Sequence, residues 1–178
     1  LLSWISSLIT FSIIIFLYLL VLYRKPSVNW GSSTQEQTYK TALAAALRLQ
    51  GVKDHIKNYH PQVLVLSGTP YSRPPLIDLG NVITKKHSLL IVGDITSSKL
   101  SHHRRKMMYD DAQKWLDARK IKAFYNLVDN VKFEEGVRSL IQASGFGKFQ
   151  PNIVLMGYKA DWRSCDISEL ETYFSSLQ

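Results

Sequence analysis

Hydrophobic and polar positions fall into two regimes along this chain. From Leu1 to Tyr23 the sequence LLSWISSLITFSIIIFLYLLVLY contains no charged residue, and Arg24-Lys25-Pro26 then opens a stretch of mixed polarity that lasts to Gln178. A helix rising about 1.5 Å per residue would make the apolar run roughly 34 Å long, enough to cross a hydrocarbon core of about 30 Å. Trp4 near one end and Tyr18 and Tyr23 near the other suit the two headgroup layers. The hydroxyls of Ser3, Ser6, Ser7, Thr10 and Ser12 have helical carbonyls one turn back to bond. A cleaved signal peptide puts its basic residues before the apolar core and ends in small residues; here the basic pair follows the core. We expect a transmembrane helix over residues 1–23.

Beyond it the period changes. Pro26 to Ser33 reads as a linker, and Ser33 with Glu36 has capping-box spacing, so a helix is expected to start there. Tyr39, Leu43, Ala46 and Leu47 recur at helical spacing up to a stop at Gly51, and Val52 to Tyr59 offers a second helical piece. Residues 24–60 are thus a linker and connecting helix. Short continuous apolar runs follow at Gln62–Ser67 and Ser88–Gly93, the kind buried on both faces of a parallel sheet, and Ile121–Val128 and Asn152–Gly157 read as the third and fourth strands. Between them, a helix is expected after Pro74-Pro75 with Leu76, Leu79, Gly80 and Ile83 inward. Another carries Met108, Ala112, Trp115 and Leu116, with Met107 also in the core. A third has Phe133, Val137, Leu140 and Ile141, closed by Gly145. A last helix opens at Asp166, with Glu169 at capping-box distance, and turns Ile167, Leu170, Phe174 and Leu177 inward. Strands in series joined by helical crossovers predict an open, mostly parallel α/β sheet over residues 61–178 with helices on both faces. The apolar run is already under way at Leu1 and the chain stops near a helix end. We therefore expect a piece of a longer protein whose sheet continues past Gln178.

Charge adds an orientation. All 22 basic and 14 acidic residues lie after Tyr23, giving a formal +8. The excess is scattered, and its densest cluster, His102-His103-Arg104-Arg105-Lys106, reads as a solvated helix surface rather than a nucleic-acid site. Cys165 is the single cysteine and no Asn-x-Ser/Thr sequon occurs. Both fit a reducing, cytosolic setting for residues after 23, and Arg24-Lys25 agrees with it by the positive-inside rule.

Candidate chemistry is sparse. In open α/β sheets ligands sit beyond the carboxyl ends of the strands, where this chain has Gly68-Thr69-Pro70, Gly93-Asp94, Asn126, Asp129 and Gly157. Tight strand-to-helix turns need the same residue types. Ser144-Gly145-Phe146-Gly147-Lys148 resembles a phosphate loop but lacks the spacing and precedes a strand, so a helix end is the plainer reading. The histidine spacings, including His55 with His60 and His102 with His103, suit no metal site. We expect no catalytic residues, no cofactor and no metal.

The wording of several segments is similar to a known family. Val28-Asn29-Trp30-Gly31-Ser32-Ser33, Val52 to Tyr59 (VKDHIKNY), Lys120 to Tyr125, Gly136 to Gly147 (GVRSLIQASGFG), Pro151 to Gly157 (PNIVLMG) and Asp161-Trp162 run in order through the chain. They resemble the start of the cytosolic carboxy-terminal domain of cation–chloride cotransporters, closest to the sodium-coupled branch. The resemblance implies that residues 1–23 are the last membrane helix of the transporter, with other helices of the same transporter upstream. Thr34 to about Gln50 would be the connecting helix, and the α/β domain would be universal-stress-protein-like and form a homodimer. It further implies electroneutral, secondary-active symport of chloride with sodium and/or potassium in a plasma membrane, with ion sites on earlier helices that this sequence lacks. The segment Thr96 to Asp110 departs from the family wording, which puts its role in question. The alternative from the residues alone is a single-pass, membrane-anchored nucleotide-binding or scaffold module.

Overall fold

The computed structural model describes residues 4–23, 33–85, 87–158 and 163–175. They divide into two compact units, Leu1–Ala45 and Ala46–Gln178.

The first unit is helical: α1 runs over Trp4–Tyr23, and α2, over Ser33–Gln50, begins in this unit and ends in the second. In α1 the side chains from Trp4 to Leu20 are exposed, apolar ones included, and Thr10 Oγ1 donates back to the Ser6 carbonyl at 2.8 Å. Among the described residues no helix is long and apolar enough to cross a membrane. The expected span is therefore met only as an uncharged helix. Leu1–Ser3 and the side chains of residues 21 and 22 lie outside the described residues, and the unbroken run Trp4–Leu20 reaches about 25 Å. The linker with Trp30, and the side chain of Ser33 invoked for a capping box, also lie outside them. α2 is polar at its start, where Lys40 pairs with Glu36 at 2.7 Å, and leaves Tyr39, Leu43 and Leu47 exposed.

The second unit is built on four apolar runs. β1 (Val63–Leu66), β2 (Leu90–Thr96), β3 (Phe124–Asp129) and β4 (Ile153–Met156) form one parallel sheet in the order β3-β2-β1-β4. α3 (Pro74–Thr84), α4 (His102–Ala118), α5 (Phe133–Ala143) and α6 (Ile167–Ser175) complete it. Alternate residues of β1 feed two cores, which is why its sequence VLVL has no polar position. Val63 and Val65 join Leu90, Val92 and Tyr125 beneath Ile77 of α3 and Leu116 of α4. Leu64 and Leu66 join Ile91 beneath Val137 and Leu140 of α5. Helices thus cover both faces, as the sequence predicts. Each fully buried aliphatic side chain contributes about 1.5–3 kcal/mol.

Several boundaries and faces differ from expectation. Val52 to Tyr59 forms only a 3-10 turn at Ile56–Asn58, with His55 Nδ1 accepting from the Lys57 N–H. β3 starts at Phe124, since Ile121 and Ala123 are buried ahead of the pairing, and β2 runs on to Thr96. In α3 the buried stripe is Ile77, Gly80 and Thr84, whereas Leu79 is 48% exposed. The cause is a close approach: a Cβ at Gly80 would lie 2.8 Å from Val65 Cγ2, so the helix presses this glycine to the sheet and rotates Leu79 outward. Met107 and Ile141 also face outward, beside the line that meets the sheet, and Ile167 and Phe174 face outward on α6, which packs against α5. Glu169's side chain, Leu177 and Asp161-Trp162 lie outside the described residues.

Candidate functional site

The strand order reverses between β1 and β4, and the carboxyl ends of the strands gather the polar residues that the sequence nominates. After β1 the chain turns at Gly68, whose φ of 72° belongs to the left-handed region that glycine adopts without strain. Ser72 Oγ closes this turn by donating to the carbonyls of Ser67 at 2.9 Å and Thr69 at 2.7 Å. α3 then begins with Pro74 and Pro75 at its first positions, and its cap residue Arg73 offers no side-chain bond. Two prolines there remove two of the N–H groups with which a helix start would cradle a phosphate. This weighs against the nucleotide-binding alternative. Across the crevice, the Gly157 carbonyl accepts from Tyr173 Oη at 3.2 Å.

Next to Gly68 stands Asp94, buried in β2. Tyr125 Oη of β3 donates to its Oδ2 at 2.6 Å, and Tyr109 of α4 packs edge-on against the Tyr125 ring at 5.2 Å. Burial, followed by the bond to Asp94, pushes the Tyr125 hydroxyl well above the usual tyrosine range. The pair holds a carboxylate in the core and keeps the phenol protonated.

At the end of β3, Asp129 accepts from the Leu100 N–H at 2.9 Å and from Arg105 Nη2 at 2.9 Å. The Leu100 N–H first, and then the Arg105 bond, hold its carboxyl below the usual range. Arg105 is therefore withdrawn from the basic cluster to pin the loop that enters α4. On the other face of the sheet, Asn126 Nδ2 donates to Ser144 Oγ at 3.1 Å. Gly93 is a packing position, since a Cβ there would lie 2.8 Å from Leu140 Cδ1.

Of the residues nominated from sequence, the structure brings Gly68, Gly93 and Asp94 into one cluster, with the Gly68 N–H donating to the Gly93 carbonyl at 3.2 Å. Asn126, Asp129 and Gly157 are each bonded within the domain, and Thr69 and Pro70 shape the turn. Sequence reasoning overlooks Tyr125, whose signal is an aromatic with a polar tip inside an apolar strand, and it places Ser144 at a helix end without its bond to Asn126. Ser144 to Lys148 is no phosphate loop: it leaves α5 and folds back on itself at the opposite end of the sheet, ahead of β4. An open groove of about 570 Å³ lies at the amino ends of β2 and β3, lined by Ser88, Leu90, Gln113, Asp117, Lys120 and Phe124. Among the described residues no cluster suits a metal ion.

These features define an α/β domain carried behind an uncharged apolar helix, with the polar groups at its strand ends bonded to one another. Comparison with known proteins supplies the family. The model for Solute carrier family 12 matches residues 73–178, and that for Amino acid permease matches residues 1–65. The chain belongs to solute carrier family 12, the cation–chloride cotransporters that the sequence resembles. It is 51% identical over 177 residues to the Bumetanide-sensitive sodium-(potassium)-chloride cotransporter of Manduca sexta, a match covering 99% of this chain and 17% of that protein. It is 42% identical to human Solute carrier family 12 member 2 over 175 residues, covering 97% of this chain and 14% of that protein. Against human Solute carrier family 12 member 3 it is 42% identical over 182 residues, covering 99% and 18%. The chain thus spans about a sixth of the length of the relatives it matches. The matched proteins are named as solute carriers and cotransporters, and carriers work at a membrane.

Proposed function

We propose that this chain acts within an electroneutral, secondary-active symporter that moves chloride with sodium and/or potassium, and that it joins the membrane part to a cytosolic regulatory and dimerising domain. The observation that carries the reading is the 51% identity over 177 residues to a protein named as a sodium-(potassium)-chloride cotransporter. On this reading α1 is the last membrane span. Its 20 residues carry no charge and measure about 30 Å, and its apolar side chains from Trp4 to Leu20 stand open to their surroundings, as a lipid-facing helix requires. Arg24 and Lys25 follow it immediately, so residues after 23 lie on the cytosolic side of the plasma membrane. α2 is the connecting helix, and the parallel sheet, covered on both faces, is the universal-stress-protein-like domain through which two copies pair. Chloride, sodium and potassium bind on helices upstream in the same transporter.

The test is a chimera in which this chain replaces the matching 177 residues of the Manduca sexta cotransporter. Chloride-dependent, bumetanide-sensitive rubidium uptake is then measured at equal surface expression. Uptake within about twofold of the parent is expected, and a chimera that reaches the surface yet carries no bumetanide-sensitive flux would refute the reading. Cross-linking of the purified chimera tests the pairing; a monomer would remove that part of the proposal.

A further inference from the structure

Residues 51–60 lead from α2 to the first strand, and none of them is buried. A segment without buried side chains gains almost nothing from the hydrophobic effect, so polar contacts hold it to the sheet. Those contacts converge on the loop between α5 and β4. This loop is itself tightly folded, with Gly145 at φ 93° and Gly147 at φ 56°, and with Phe146 and Phe149 exchanging backbone hydrogen bonds at 3.0 Å. From it Lys148 Nζ donates to the Val52 carbonyl and, at 2.7 Å, to Asp54 Oδ1. The Lys148 carbonyl accepts from Gln62 Nε2 at 2.9 Å, which fixes the loop to the approach to β1. Asn152 does the same one step on: its Oδ1 accepts from the Gln62 N–H at 2.8 Å and its Nδ2 donates to the His60 carbonyl at 3.0 Å. The loop also reaches the end of α2, since a Cβ at Gly147 would lie 2.7 Å from Gln50 Nε2.

We propose that this loop is a clasp closed by Lys148, and that opening it frees the end of α2 as a hinge while the sheet stays folded. The two anchors divide the work. Asn152 holds His60, which stays with β1, whereas Lys148 holds Val52 and Asp54, next to the helix end. Lys148 is the point of release because its side chain, 28% exposed, is confined while Asp54, 94% exposed, is not. Charge-assisted bonds to a carbonyl and a carboxylate are among the stronger polar contacts, and both vanish with one ammonium group. The proposal rests on the reading of α2 as the connecting element, because a hinge at its end would set how motions of the membrane part and of the sheet domain are coupled.

The test uses the full chain in detergent micelles with Cys165→Ser and nitroxide labels at positions 48 and 122, both exposed. Double electron–electron resonance reads the distance between the end of α2 and the sheet. The parent should give one narrow distribution, Lys148→Met should at least double its width, and Lys148→Arg should stay narrow. The thermal midpoint of the sheet domain should not move. An unchanged width in Lys148→Met would overturn the proposal. So would a broadening accompanied by loss of the domain's thermal transition, which would make Lys148 a support of the whole sheet rather than a latch. The distance measurement is independent of ion flux, so failure of the uptake chimera leaves it intact.

Discussion

Replacing Gly136 by Ala is the sharpest test of how α5 sits on the sheet. Alanine ordinarily improves a helix by about 1 kcal/mol over glycine. Here a Cβ at 136 would lie 2.4 Å from Ile95 Cγ2 and 3.0 Å from Cγ1, far inside contact distance. Ile95 has little room to yield: its β-branch restricts χ1, and it lies in β2, paired with Val128 of β3. Overpacking of this kind costs about 1–3 kcal/mol, and the severity of the overlap puts it at the upper end. The net loss should be about 2 kcal/mol, a fall in thermal midpoint of roughly 8 °C for a domain of this size. The assay is thermal unfolding of the chain followed by near-ultraviolet circular dichroism. Gly51→Ala is the internal control, since a Cβ there meets only the Arg48 carbonyl at 3.6 Å, and it should change stability by less than about 0.5 kcal/mol. In a Gly136→Ala/Ile95→Ala double variant the clash disappears, so the two losses should fall well short of additive. A midpoint that rises in Gly136→Ala, or losses that simply add, would refute the packing argument.

Other expectations follow from the strand ends. Tyr125→Phe removes the donor to a buried carboxylate and should cost about 1–3 kcal/mol in chemical denaturation at neutral pH; no loss would mean that Asp94 finds water instead. In the parent, the Tyr125 hydroxyl should stay protonated well above the usual tyrosine range, so the ultraviolet titration of the parent should lack the contribution that Tyr125 would make if exposed. Asp129 has its folded-state value below the ordinary 3.8, so its contribution is present above that pH and fades as pH falls through the folded value. Asp129→Asn should therefore lower the denaturation midpoint at pH 7 and match the parent well below pH 3.8; a difference that persists in acid would contradict the assignment.

Much of the domain was legible from its apolar pattern, for a physical reason. A strand covered by helices on both faces must be apolar at every position, so VLVL at Val63–Leu66 announces its environment without any partner being known. Helix faces were less legible. In α3 the apolar residues Leu76, Ile77, Leu79 and Ile83 fit two overlapping stripes, and the close approach of Gly80 to Val65 chooses between them. In α4 and α6 the outward Met107, Ile167 and Phe174 show that an apolar residue in a helix does not by itself report burial.

The sequence by itself determined the uncharged helix at the start, the alternation of strands and helices, the two-faced burial of the central strands β1 and β2 and the family. All of these depend on residue type and spacing along the chain. Only the tertiary structure decided that β4 lies beside β1, that Tyr125 meets Asp94 and that Lys148 meets Asp54. The last two contacts join residues 31 and 94 positions apart, and nothing in a local window records which distant group will satisfy a polar side chain. Burial is written into periodicity, whereas partnership is settled only when the elements pack.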